Sequence, residues 1–334
     1  MSSEPTVEPG TDAAAPPLAP GRLTTRKKPL ADRIPVVSHV RQSVGLQRGM
    51  LIAGLVLVVV FIIVAVFAPW IAPYGWAQRS VDGVKFGTQQ PPNALNIWGT
   101  TVAGFDVYSR TIWGAQTAIL AIICAIVFSI FLGITIGLLS GYFGGWIDRV
   151  LVVIADAIYS FPSLLLAIVV SIVISGGRST LWSGILAAAI SITVVFVPQY
   201  FRVIRADVVR VKAEPFVESA RVIGVPTGRI LTRHVLRNSL RSIPVIVTLN
   251  ASEALLTLAG LGFLGFGIDP TAAAEWGYDL SRSVADASSG IWWTAIPPGV
   301  AILLVVLGIT LVGESLNDLS DPRLRRRRRA GGAA

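Results

Sequence analysis

Six stretches of the chain are almost continuously apolar, and polar, glycine-rich or basic segments separate them. They cover residues 50–70, 117–139, 150–174, 182–201, 243–266 and 292–316, each near the roughly 20 residues that a helix needs to cross the hydrocarbon layer. Apolar character runs along each stretch instead of alternating over ten-residue segments, so the pattern predicts helices and not barrel strands. The expected fold is an all-α membrane protein with six transmembrane helices. Its first span starts at residue 50 and is too long for the apolar region of a cleaved signal peptide, so it is expected to remain as an anchor.

One polar interruption differs from the others. Between the fourth and fifth spans, residues 202–242 are strongly basic, and 214–238 carry apolar positions at helical spacing. Pro215 sits at a tolerated early helical position, with Phe216, Val217, Ala220 and Ile223 expected on one face. Gly224 ends that helix, Pro226 prevents simple continuation, and Thr227 caps a second helix with Ile230, Leu231, His234 and Val235 on its apolar side. The prediction is two short amphipathic helices joined at Gly224, an elbow able to dock in a groove on another protein and pass rigid-body motion to the spans around it.

Charge orients the chain. Of its 28 Lys and Arg residues, all but Arg79, Lys85, Arg110, Arg178 and Arg282 fall on one side of the six proposed spans. The positive-inside rule therefore puts both termini and the elbow in the cytoplasm of a cell whose inner or plasma membrane holds the protein. Composition requires the same setting, because 53% hydrophobic and 14% charged residues, with a mean hydropathy of +0.68, leave too little polar surface for a soluble domain of this length. Residues 1–49 read as a largely disordered cytoplasmic tail, 50–316 as the six-span domain including the loop 202–242, and 317–334 as a basic cytoplasmic tail. The arginine run 325–329 beside the last span fits topology and anionic lipid headgroups better than nucleic acid.

Catalytic chemistry finds little footing. The single cysteine, Cys124, lies within a span, and the chain has no cysteine cluster, no HExxH and only His39 and His234 as histidines, so neither metal nor cofactor is expected. No GxxxxGK[ST] phosphate loop occurs; ATP hydrolysis, if it drives the protein, is expected on another chain. Ionisable groups inside spans are costly and face a partner or water, which makes Asp156 and Glu253, with Asn250 near the latter, candidates to line a pathway. For both acids a structural hydrogen bond is the competing reading.

The elbow's Glu218, Ala220, Gly224, Ile230, Arg233-His234, Leu236 and Asn238 resemble the EAA loop of ABC importer permeases, with Ser219 where alanine is usual and Arg237 where proline is common. Before the second span, Trp98-Gly99-Thr100, Gly104, Asp106-Val107, Ser109-Arg110, Ile112 and Gly114-Ala115 are similar to the signature of the C-type subunit of dipeptide and oligopeptide permeases. Thr101, Phe105 and Gln116 depart from it at charged positions. Gly144-Gly145-Trp146, Asp148, Asp156 and Phe161-Pro162 extend the likeness, with Val153 replacing a frequent arginine, as do Glu253, Phe263-Leu264-Gly265, Trp276-Gly277 and Asp321-Pro322-Arg323. The resemblance implies a permease subunit that forms half of a translocation pathway and is not itself an enzyme. It also implies a second homologous permease, two ATP-binding subunits or domains and an extracytoplasmic solute-binding protein as partners, besides membrane lipid. Phe216, Val217, Glu218, Ala220, Arg221, Gly224, Ile230 and His234 become the ATPase-coupling residues. Di- or oligopeptides are the implied cargo, with nickel or glutathione as the alternatives within the family. A secondary transporter is the outside alternative, disfavoured by the lack of a repeat or a cluster of intramembrane acids.

Overall fold

The computed structural model describes residues 46–175 and 180–320. The tail expectations for 1–45 and 321–334, including the 325–329 arginine run, lie outside the described residues. Helices α1 (Leu46–Ile71), α2 (Val107–Phe143), α5 (Leu181–Lys212), α7 (Thr227–Phe263) and α9 (Ile296–Ser320) each contain a span long and apolar enough to cross a bilayer. The all-α membrane fold is as expected, but the third span is not a single helix. It comprises α3 (Gly145–Tyr159) and α4 (Ser163–Ser175), whose axes differ by 100°. Pro162 lacks a donor and its ring clashes with the carbonyl four residues back, so the helix stops before it. The described residues thus hold five continuous spans, and six when the bent pair counts as one.

Hydropathy underestimated the lengths. The second apolar stretch lies within a 37-residue helix, about 55 Å long at 1.5 Å per residue, and the fourth within a 32-residue helix of about 48 Å. Both exceed the ~30 Å hydrocarbon layer because their polar end turns remain helical. Asp106 caps α2, its carboxylate accepting from Ser109 N–H at 2.7 Å. Thr180 and Ser183 form a reciprocal capping box on α5.

Helices α2 and α5 form the spine of the bundle. Ala115, Ala118, Ala121, Ile122 and Ala125 meet Ile185, Ala188, Ala189 and Ile192 in one core cluster. Further along, Gly133, Gly137 and Gly141 recur every fourth residue, and a Cβ on Gly133 would stand 2.3 Å from Tyr200 Cβ, while one on Gly137 would stand 2.9 Å from Phe201 O. The stripe lets two backbones approach, as small residues do where lipid supplies no hydrophobic drive for helix association. Helix α1 lies against α2 and α9, and α9 against α7.

At the bundle end opposite the elbow, an unpredicted helix, α8 (Trp276–Ser288), packs on α7 and α9. A two-residue hairpin, β1 (Ser80–Val81) with β2 (Val84–Lys85), turns at Asp82-Gly83, both with positive φ. Arg110 of α2 is 1% exposed and holds Asp279 of α8 through its Nε at 2.8 and 2.9 Å. Its Nη1 donates to the carbonyls of Trp76 and Pro270. Phe105, which replaces a charged residue of the resembled signature, receives the guanidinium groups of Arg79 and Arg110 at 4.5 and 4.7 Å from its ring centre. This retained arginine therefore clamps three segments together. Gln116, another departure, donates to Ala65 O and ties α2 to α1.

Candidate functional site: an elbow and a cleft within the spans

Helix α6 (Pro215–Val222) follows α5 after a two-residue turn, with Pro215 in its first turn. Its end is a Schellman motif. Gly224 N–H donates to Arg221 O and Val225 N–H to Ala220 O, both at 3.0 Å, and Gly224 carries φ +77°. A Cβ at Gly224 would meet nothing within 4 Å; glycine is required there by backbone conformation alone.

The second helix of the predicted elbow is not a separate short element. From Thr227 the chain runs as one helix through the fifth span to Phe263, by way of a π-helical stretch at Ile230–Leu236 and a 3-10 turn at Leu240–Ser242. The elbow is thus one short helix braced against the root of a long one. With Arg237 in place of the usual proline, backbone donors remain to carry the helix onward.

The expected docking stripe is split between inside and outside. Val217 and Ala220 are buried with Ile230 and Val235, packed on Leu138 of α2 and on Ile204, Val208 and Val211 of α5. Phe216 is half-exposed, whereas Val222 and Ile223 are 82% and 78% exposed. Glu218 and Arg221 also face outward, and the Arg221 guanidinium lies 5.6 Å from the Tyr142 ring centre. His234 is half-buried, and its carbonyl accepts from Asn238. Of the eight residues expected at the coupling site, Val217, Ala220 and Ile230 therefore anchor the elbow to its own chain, and Val222, not previously singled out, joins the free surface. A signal for Val222 was present in the spacing, since at 3.6 residues per turn it stands about 140° around the helix from Val217.

Ion pairs fasten α5 to the elements around the elbow. Asp148 of α3 takes two hydrogen bonds from Arg205 and one from Ser140 of α2. Asp156, at the other end of α3, pairs with Arg202 at 2.6 Å; the absence of an arginine at Val153 does not leave it alone. Lys212 Nζ donates to the carbonyls of Gly141 and Tyr142, closing the end of α2. Asp207 accepts from Ser242, linking α5 to the root of α7. These bonds join α5 to α2, α3 and the root of α7.

The pathway candidates separate. Asn250 is 1% exposed and sits inside the bundle, so it does not face open space. Asp156 is engaged by Arg202. Glu253 lines a cleft of about 170 Å³ at the bend between α3 and α4, together with Tyr159, Phe161, Ser163, Phe196 and Gln199.

A helical bundle of apolar spans with an amphipathic elbow at one end is the architecture of a multi-pass membrane protein. Residues 133–326 match the family described as binding-protein-dependent transport system inner membrane component, and 47–92 match the N-terminal TM domain of oligopeptide transport permease C. The chain is 34% identical over 82% of its length to a dipeptide transport system permease protein of Alkalihalophilus pseudofirmus, covering 86% of that protein. It is 34% identical to a glutathione transport system permease protein of Escherichia coli and 36% identical to one of Shigella flexneri, in each case over 84% of this chain and 88% of the relative. The chain belongs to the binding-protein-dependent transport system inner membrane component family and is an ABC importer permease of the oligopeptide and dipeptide branch.

Proposed function

We propose that this chain forms half of the translocation pathway of an ATP-driven importer of di- or oligopeptides, and that the free edge of its elbow receives an ATPase subunit. The observation that carries the docking reading is the pair of strongly exposed apolar residues, Val222 and Ile223, on a polar-flanked turn whose opposite face is locked into the chain's own core. Such a patch has no reason to meet water unless a partner covers it. The chain does no chemistry of its own: ATP closure pulls the elbow, and α5 passes the movement to the bent third span, rocking the subunit against a second permease. An extracytoplasmic solute-binding protein delivers the cargo. The named dipeptide relative supports peptide over nickel, and the glutathione relatives keep a small γ-linked peptide within the same chemical class. Both termini and the elbow lie in the cytoplasm, supported by the distribution of basic residues.

Reconstitution of the complex in liposomes tests this reading. Labelled dipeptide, presented with the binding protein, should accumulate on the ATPase side and stimulate ATP hydrolysis; hydrolysis without peptide stimulation or accumulation refutes it. Topology has its own check. In intact cells an impermeant thiol reagent should label Thr88→Cys and spare Ser219→Cys, and the reverse overturns the orientation.

A further inference from the structure

We propose that the Glu253 cleft is a way-station for the cationic end of the transported molecule, the primary ammonium of a peptide. This rests on the reading of the chain as a peptide permease. Glu253 lies midway along the apolar Ile243–Phe263 stretch, where ionised side chains are costly unless they meet water or a counter-charge. Its side chain is exposed, and among the described residues it has neither an ion-pair partner nor a side-chain hydrogen bond. Arg202, which stacks 4.3 Å from the ring centre of the lining residue Tyr159, is already committed to Asp156 at 2.6 Å. Two further acids of α3, Asp148 and Asp156, are paired with Arg205 and Arg202. The Glu253 carboxyl in the cleft is therefore unspent on the fold.

The walls suit one end of a small solute. At about 170 Å³ the cleft is smaller than the roughly 300–1,000 Å³ of sites that enclose whole ligands, so it takes a terminal group and not a complete peptide. Gln199 and Ser163 supply neutral hydrogen-bonding groups beside Glu253, and Phe161 and Phe196 supply apolar and aromatic walls. The two helix ends at the bend, the C-terminus of α3 and the N-terminus of α4, carry opposite partial charges, which leaves the sign of the site to Glu253. A metal ion fits poorly, since no group of three His, Cys, Asp or Glu side chains converges among the described residues. One carboxylate with neutral neighbours holds an ammonium weakly, as a transit site must.

The test reads the charge of the cleft without using transport. In the complete complex in liposomes, with Cys124→Ser as background, Ser163→Cys is labelled by cationic and by anionic methanethiosulfonates of matched size. The cationic reagent should react about tenfold faster than the anionic one, and Glu253→Gln should bring the ratio close to unity, while Glu253→Asp preserves it. A ratio near unity with Glu253 present, a thiol that stays unreactive in the Ser163→Cys protein, or a preference that survives Glu253→Gln overturns the proposal. Dipeptide uptake by the unaltered complex separates the two claims. Uptake with an uncharged cleft sinks only the way-station, whereas a cation-preferring cleft with no uptake sinks the peptide reading and leaves the cation site standing.

Discussion

Replacing Gly224 with valine isolates the conformational demand of the elbow. The position has φ +77°, and a Cβ there would touch nothing within 4 Å, so the first cost of the substitution is conformational. A β-branched residue held at such φ costs about 1–3 kcal/mol. Relaxing that strain requires breaking the two 3.0 Å Schellman bonds and releasing the seat of Ala220 and Val217. At about 2 kcal/mol the native elbow loses roughly 30-fold in population relative to competing arrangements. Peptide uptake and ATPase retention should fall by up to that factor, whereas membrane abundance stays within about twofold because the spans are untouched. Gly224→Asn, which tolerates the left-handed region, should fall only slightly, and Gly224→Ala should lie between. ATPase pull-down from equal amounts of inserted permease, together with peptide-stimulated ATPase activity, measures the series. Equal behaviour of the asparagine, alanine and valine variants would refute the strain argument.

The split elbow gives opposite outcomes at neighbouring positions. Ala220→Asp buries an unpaired carboxylate against Val208 and Val235 and should cut membrane abundance several-fold, whereas Ile223→Asp, at 78% exposure, should leave abundance unchanged and weaken ATPase pull-down about tenfold. Arg110→Met strands Asp279 in a buried setting at about 3–5 kcal/mol, a fall in Tm on the order of 10 °C by fluorescence, and adding Asp279→Leu should recover most of it. Glu275 caps α8 from a fully buried position, and burial pushes its carboxyl from the ordinary 4.5 up to about 8. Folding therefore takes up a proton at intermediate pH: this contribution to stability is full below about 4.5, declines as pH rises and levels off above about 8, so Tm measured from about pH 5 to 9 should fall and Glu275→Gln should flatten the curve.

The membrane made much of this fold legible. Backbone groups in hydrocarbon must bond within their own segment, so apolar runs mapped onto spans, and Gly224 with Pro226 announced the elbow's turn. Pro162 carries a signal for a bend in the third span, and the size of that bend, 100°, is not in the local sequence. The helical ends beyond the bilayer were invisible to hydropathy, since polar turns such as Arg202 to Lys212 continue a helix already nucleated. The facing of α6 was misjudged for a related reason: an apolar stripe states that something covers it, and only tertiary packing decides whether that is a partner or the chain itself. The pairs Asp156–Arg202, Asp148–Arg205 and Arg110–Asp279 join residues 46, 57 and 169 positions apart, with no local signal. The Gly133, Gly137 and Gly141 spacing, by contrast, was readable as a helix-packing stripe. Glu253 stood out as an intramembrane acid, and its place beside the α3–α4 bend needed the fold.

The proposed coupling depends above all on the outer edge of the elbow being the seat of the ATPase. A photo-cross-linking side chain placed at Ile223 in the assembled complex, illuminated with and without ATP, interrogates that edge directly. One dominant adduct with the ATPase subunit is expected in both states, and none from the same group placed at Thr88. Adducts from Ile223 only to lipid or to the permease itself would contradict it.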